Sequence, residues 1–185
     1  MGAVACAFVL GRGSDDHPGE TRAAARPRLS IVGEAGSGTE GAKVLRVLLV
    51  EDDPSMRFLC RFNLALEGFE IVEAATGEEA LAKVNDAAFD LVLLDVMLPD
   101  FSGLEVATRM RADGRMGEVP IVFVSARGGE TDIEQGRSAG AIDYIVKPFD
   151  PIVLPQRLRG DLEELGRSGA EGVWRLRFGG GRAGM

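Results

Sequence analysis

The sequence predicts an α/β fold, a doubly wound parallel sheet with helices on both faces. Three observations lead there. Short aliphatic runs recur between residues 45 and 165, among them Val47–Val50 and Leu91–Leu94. They lack polar alternation, as strands buried on both faces do. Each is followed by a segment with apolar residues at 3–4 spacing, the helical period. Strand and helix therefore alternate in five β-α units, which implies a parallel sheet with right-handed crossovers.

The elements follow in order. Val47–Val50 is the first strand and ends in Glu51, Asp52 and Asp53. Ser55–Glu67 is the first helix, with Met56, Leu59, Cys60, Asn63, Leu64 and Glu67 along one side. Gly68 ends it at the position where a helix favours glycine. Phe69–Ala74 is the second strand. Thr76 caps the second helix, with Glu79 as its capping-box partner and Ala80, Leu81 and Val84 facing inward. Asp90–Asp95 is the third strand, four aliphatic residues between two carboxylates. Pro99–Gly103 makes a turn, and Leu104–Arg111 is a short helix buried along Leu104, Ala107 and Met110. Val119–Ser125 is the fourth strand, with Pro120 near its start where it does not interrupt the ladder. Gly129–Ala139 is a glycine-weakened helix whose main apolar residue is Ile133. Ile142–Val146 is the fifth strand, ending at Lys147 and Pro148. The last helix runs from Asp150 to about Leu165, with Ile152, Val153, Leu158, Leu162 and Leu165 as its apolar positions; Pro155 falls in its first turn if the helix begins near 154.

The ends differ from this body. Much of the chain's glycine lies in residues 1–43 and 166–185. The first segment has no sustained periodicity and reads as a low-complexity, disordered extension. It holds a near-match to a phosphate-cradling loop, Gly33 to Thr39, but Thr39 follows Gly38 directly and the required lysine is missing. His17, the only histidine, lies in this extension and is not a catalytic candidate. Residues 166–185 form a Gly/Arg-rich tail. In it Trp174, Leu176 and Phe178 alternate with Arg175 and Arg177, the pattern of a short strand or a sticky tail. Cys6 and Cys60 make neither a disulfide framework nor a zinc site. A net charge of −8 disfavours non-specific binding to nucleic acid or anionic membrane. No apolar stretch reaches transmembrane length, and Met1–Leu10 lacks the charged start of a signal peptide. The expected location is the cytoplasm.

Polar groups stand at four strand ends in an otherwise apolar frame: Glu51, Asp52 and Asp53, then Asp95, Ser125 and Lys147. The carboxyl ends of parallel strands share one edge of the sheet, where open α/β folds bind ligands. Without histidine or cysteine the donor set is hard oxygen, which suits Mg²⁺. A carboxylate beside Mg²⁺, a hydroxyl and an ammonium can accept a phosphoryl group. Asp95, single and central, is assigned as the nucleophile. Asp52 is assigned as the main metal ligand, Glu51 as a second through water, and the Met97 backbone carbonyl as a third. Ser125 and Lys147 would each pair with a phosphoryl oxygen. Asp53 reads as a solvated or first-turn helix charge.

The joint pattern resembles the receiver domain of bacterial two-component response regulators, of the single-domain, CheY-like kind. The matching pieces are LLVEDD at 48–53, LVLLDVMLPDFSG at 91–103, PIVFVSA at 120–126 and AGAIDYIVKPFD at 139–150. The resemblance covers roughly residues 45–165, in the family's order and spacing. It implies a flavodoxin-like (βα)5 sheet of strand order 2-1-3-4-5, Mg²⁺ dependence, and phosphotransfer from a histidine kinase or a histidine phosphotransfer protein. It also implies that Asp95 is the phosphorylated aspartate, Glu51 and Asp52 the acidic pair, Ser125 and Tyr144 the switch residues, and Lys147 the invariant lysine. A cis bond before Pro148 belongs to the same pattern.

The expected function is a phosphorylation-activated switch that signals through protein contacts and is not a dedicated enzyme. Its responsive surface spans about residues 129–165, and a homodimer stays open. No output domain is read after residue 165, which points to a stand-alone receiver or a relay intermediate. One alternative is a transcriptional regulator binding DNA through basic C-terminal residues, Arg157, Arg159, Arg167, Arg175, Arg177 and Arg182. Another is a haloacid-dehalogenase-like Mg²⁺-dependent phosphohydrolase. That class expects an aspartate two residues after the nucleophile, where this chain has Met97. Met97 and Arg127 occupy the positions that tune phosphoaspartate lifetime in the family. Neither positions water, so slow autodephosphorylation is expected.

Overall fold

The computed structural model describes residues 43–112 and 118–178. The N-terminal extension, with Cys6, His17 and the Gly33–Thr39 loop, lies outside the described residues apart from Lys43, as does Arg182.

The elements are β1 (Arg46–Val50), α1 (Pro54–Leu66), β2 (Glu70–Ala74), α2 (Gly77–Asp86), β3 (Leu91–Asp95), α3 (Gly103–Ala112), β4 (Ile121–Ser125), α4 (Glu130–Ser138), β5 (Asp143–Val146) and α5 (Leu154–Phe178). The strands form one parallel sheet of order β2-β1-β3-β4-β5. This is the flavodoxin-like arrangement the resemblance implied.

Alternate residues of a strand face opposite sides of a sheet, and the two cores show it. Leu48, Val50, Val92, Leu94, Ile121 and Phe123 face α2, α3 and α4 with Ala80, Val106 and Met110. Val47, Leu49, Leu91, Leu93, Val122 and Val124 face α1 and α5 with Cys60, Leu64, Leu154 and Leu158. The central strands β3 and β4 are buried along their whole length. Cys60 is core packing, and burial pushes its thiol up to about 12, which keeps it protonated at neutral pH.

Helix starts are defined by side chains. Asp53 is exposed and stands at the start of α1, as the sequence implies; there it caps the helix by accepting the Met56 N–H at 2.7 Å. Thr76 caps α2 through the Glu79 N–H. Glu79 reaches back one residue further than a capping box requires, to the Ala75 N–H at 2.8 Å. Asp100, from the loop after β3, accepts the N–H groups of Gly77 and Glu78. Gly68 and Gly140 have positive φ where the chain leaves α1 and α4, a conformation that costs glycine least.

Three expectations fail. Ile152 and Val153 are 70% and 53% exposed. The helix starts only at Leu154, and the turn at Asp150 puts these two residues off its inner stripe. Leu59 is also exposed, at 43%; Cys60 and Leu64, with Met56 partly buried beside them, carry α1's contact with the core. The third failure is the tail. Residues 166–178 are helical, interrupted at Gly169, where φ is 69° and ψ is −176°. Trp174 and Phe178, one helical turn apart, stack at 4.9 Å. Val173 and Trp174 are buried while Leu176 is exposed. Burial of the tryptophan overrides the two-residue alternation read from the sequence.

Candidate functional site

The site lies at the carboxyl edge of β1, β3, β4 and β5. The Glu51 N–H donates to the Ala74 carbonyl, so this residue continues the sheet and its side chain is buried, while Asp52 next to it is exposed. Arg57, from the first turn of α1, donates to the carbonyls of Glu51 and Asp52 at 2.6 and 3.2 Å. That contact holds the acidic turn in place.

Asp95 closes β3 and is 3% exposed. Its Oδ1 accepts the Met97 N–H at 2.7 Å, and its Oδ2 accepts Lys147 Nζ at 2.5 Å. Gly103 starts α3 directly against this strand end. A Cβ there would stand 2.1 Å from the Asp95 carbonyl oxygen, which no side chain permits.

Lys147 joins the halves of the site. Its ammonium donates to both oxygens of Glu51 at 2.9 and 2.8 Å, as well as to Asp95. Its backbone N–H donates to the Ser125 carbonyl at 2.7 Å, and the peptide to Pro148 is cis. Ser125 is fully buried, and its hydroxyl accepts the Arg127 N–H at 3.0 Å. That bond uses a lone pair of the hydroxyl rather than its proton, and the Tyr144 side chain is a second hydrogen-bond partner of the same hydroxyl.

Burial raises the Glu51 carboxyl above its ordinary value. The Lys147 hydrogen bond opposes this, and the Asp95 charge adds to it. Burial alone would lower the Lys147 ammonium. The hydrogen bonds and charges of Asp95 and Glu51 outweigh it, and the lysine is raised. The ammonium is therefore held charged between two carboxylates.

Glu51, Asp52 and Asp95 can each present one oxygen with all three within 4.8 Å of one another. Three converging carboxylates, two buried and one open to solvent, fit a hard divalent cation. A concavity of about 460 Å³ opens beside them, lined by Asp52, Met97, Arg127, Asp132, Gln135 and Tyr144 among others. Tyr144 is buried, and its hydroxyl donates to the Arg127 carbonyl at 2.9 Å. Burial pushes its phenol above the ordinary value. The ring thus stands in the interior, 2% exposed.

Of the residues singled out from the sequence, Glu51, Asp52, Asp95 and Lys147 converge, with Ser125 bonded through its backbone to Lys147. Met97 is tied to Asp95 through its N–H. Sequence reasoning passed over Arg57, Asp100 and Gly103. It also passed over the fully buried Asp143, which accepts Arg157 at 2.7 and 2.9 Å. Gly103 carried a signal, a glycine opening a helix right after a turn. The others became functional only through contacts between distant elements.

A buried carboxylate framed by an acidic pair and a lysine, on a five-stranded 2-1-3-4-5 sheet, is the arrangement of a signalling receiver. The sequence profile of the response regulator receiver domain matches residues 47–159, and the chain belongs to this family. Such domains work by phosphoaspartate signalling through protein contacts. Among curated relatives, the phosphate regulon transcriptional regulatory protein PhoB of Pseudomonas aeruginosa is 38% identical over 125 residues, 68% of this chain and 55% of the relative. The transcriptional regulatory protein TrcR of Mycobacterium tuberculosis is 39% identical over 137 residues, 73% of this chain and 52% of the relative. The chain thus spans about half the length of the curated relatives it matches. Among solved structures, the chemotaxis response regulator CheY4 of Vibrio cholerae aligns with a TM-score of 0.62 and 32% identity, covering 64% of this chain and 99% of that one. The BeF3-activated DrrB receiver domain aligns at 0.59 and 30%, covering 65% and 99%. Among the described residues, no helix is long and apolar enough to cross a membrane.

Proposed function

We propose that Asp95 accepts a phosphoryl group from a phosphohistidine on a histidine kinase or phosphotransfer protein, and that this switches the chain's contacts with a downstream protein in the cytoplasm. The observation that carries the reading is the buried Asp95 carboxylate, clamped by Lys147 and flanked by Glu51 and Asp52.

A carboxylate oxygen of Asp95 attacks phosphorus. The P–O bond forms as the P–N bond to the donor imidazole breaks, and the imidazole keeps the electron pair. Lys147 turns its ammonium from the bare carboxylate toward a phosphoryl oxygen. Ser125 donates its hydroxyl proton to another. Mg²⁺, held by Asp52, Asp95, Glu51 through water and the Met97 carbonyl, would offset negative charge on the transferring oxygens. When Ser125 turns to the phosphoryl group, its bond to the Arg127 N–H is strained. The Arg127 carbonyl also holds the Tyr144 hydroxyl, so the change passes to β5 and α4. Tyr144, already inside, responds by changing its hydrogen bond rather than by entering the core. Met97 and Arg127 offer no water-positioning group, so the phosphoprotein decays slowly. A half-life of seconds contradicts that point.

A phosphotransfer profile against histidine kinases and phosphotransfer proteins from the same cell tests the proposal. Rapid labelling by one donor, abolished in Asp95→Asn, supports it. Undiminished labelling of Asp95→Asn at the same position rejects it.

Both alternatives lose ground. The C-terminal arginines are largely committed elsewhere: Arg157 to Asp143, Arg177 to Asp161, Arg167 to Glu163 and Glu164, and Arg159 to the Glu67 carbonyl and the Phe69 ring. Among the described residues, these four arginines do not form the unpaired basic face that phosphate backbones require. The family match and Met97 at the second-aspartate position argue against the phosphohydrolase.

A further inference from the structure

The family profile stops at residue 159, yet the chain beyond it is folded onto the switch elements. After the break at Gly169, residues 170–178 run back antiparallel to the first part of α5. Gly172 lies against Ser168 and Glu164. Further along, Arg177 pairs with the buried Asp161 at 2.7 Å and donates to the Arg157 carbonyl at 3.1 Å. Trp174 is the keystone of this arm. It is 6% exposed, belongs to the same core cluster as Tyr144 and Phe123, and donates its indole N–H to the Ala141 carbonyl at 2.8 Å. Glu171 holds Arg137 of α4 at 2.6 Å, and the Arg137 guanidinium lies 5.9 Å from the Trp174 ring centre.

We propose that residues 170–178 are an intramolecular latch on the α4–β5–α5 surface, which phosphorylation at the strand-end site releases and whose release in turn favours phosphorylation. This rests on the receiver reading above. The latch grips the elements on both sides of Tyr144. Arg137 adjoins Gly136, the residue on which the Tyr144 ring packs so closely that a Cβ would stand 2.7 Å from Cδ2. Ala141 begins the stretch leading into β5, three residues before Tyr144. From the Tyr144 hydroxyl the contacts continue to the Arg127 carbonyl, and from the Arg127 N–H to the Ser125 hydroxyl. A shift of Ser125 toward a phosphoryl oxygen moves this frame, and the latch fits only one setting of α4 and Ala141. It also covers part of the surface through which the signal would leave. Two sites that bias one element are coupled equally in both directions.

Trp174 is the only tryptophan in the sequence, so its fluorescence reports on the latch without a label. The experiment uses the full chain with Mg²⁺ and beryllofluoride. Fluorine NMR reports acyl-beryllofluoride at the site independently of the tryptophan. The latch predicts a red shift of Trp174 emission and greater acrylamide quenching, both saturating with the fluorine signal. A bound fluorine signal with an unchanged Trp174 overturns the latch and leaves the receiver reading standing. No bound signal overturns both. Glu171→Arg places like charges where the 2.6 Å pair stands, on an exposed surface where folding is not at risk. An exposed ion pair of this kind shifts an equilibrium by about three- to fivefold. The half-saturating beryllofluoride concentration, read from the bound fluorine signal, should fall by that factor, and Arg137→Glu combined with Glu171→Arg should restore it. An unchanged concentration dependence in Glu171→Arg, or no restoration by the swap, contradicts the coupling.

Discussion

Replacing Lys147 with methionine keeps the stem of the side chain and removes the charge. The Lys147 side chain is 20% exposed, while the Glu51 and Asp95 side chains it joins are each 4% exposed. Without it the two carboxylates face each other with oxygens within 4.8 Å. At an effective dielectric constant of about 20, two charges at that distance repel by about 3 kcal/mol. Removing one partner of a buried pair costs about 3–5 kcal/mol. A loss of about 3 kcal/mol at neutral pH is therefore expected. The sign with pH follows from the shifts. Lys147 is raised in the folded chain, so its stabilisation is complete below the ordinary lysine value and fades as pH rises through the raised one. Glu51 is raised by burial, and without Lys147 it rises further, so the variant regains stability as acid protonates it. Urea unfolding at neutral pH, at mildly acidic pH, and at neutral pH with excess Mg²⁺ measures all three effects. The deficit should shrink in acid and shrink with Mg²⁺, because a ligand that binds only the folded state stabilises it. A loss below about 1 kcal/mol at neutral pH, the range of an exposed pair, would refute the reasoning. So would a deficit that is the same under all three conditions.

Other outcomes follow from neighbouring contacts. Burial first, and the Asp143 charge second, push the Asp161 carboxyl up to about 7 despite its pair with Arg177. The folded chain holds a proton that the unfolded chain releases near the ordinary aspartate value, so stability falls as pH rises from that value through about 7. Asp161→Asn should flatten this slope in denaturant titrations across the same window, and an unchanged slope assigns it to another group. Gly103→Ala sets a methyl against the Asp95 carbonyl. It should lose about 3 kcal/mol or more by overpacking, together with most acetyl phosphate labelling. Wild-type values in both assays would show that α3 can shift freely. Ser125→Ala leaves the Arg127 N–H without its acceptor, which costs about 1–3 kcal/mol by urea unfolding. It should still take up phosphate, but more slowly. A wild-type labelling rate would remove Ser125 from the site.

The site was legible because its residues sit where the pattern of the chain changes. Buried parallel strands are uninterrupted aliphatic runs, so a carboxylate at the end of Val47–Val50 or Leu91–Leu94 stands out. Topology then brings Glu51, Asp52, Asp95 and Lys147 together. What stayed hidden depends on contacts between distant elements. Trp174 follows an alternating pattern that suits a strand, and only the surface of Ala141 and Arg137 makes it a helix residue. Ile152 and Val153 fit the helical stripe, but the Asp150 turn delays the helix by a few residues. Asp143 lies in a strand with no local sign of its partner, because Arg157 comes from the next helix. Asp53 is set apart from its two acidic neighbours already by its place at the helix start, but its bond to the Met56 N–H shows only in the structure.

The central claim is that Asp95 carries the phosphoryl group. Borohydride cleaves an acyl phosphate and reduces the carboxyl carbon to an alcohol, which turns a phosphorylated aspartate into homoserine. Treating the phosphorylated chain in this way and sequencing its peptides by mass spectrometry locates the acceptor directly. The account predicts homoserine at position 95, dependent on Mg²⁺, with Glu51 and Asp52 unmodified. Reduction at Asp52 or Glu51 with position 95 still aspartate would contradict it.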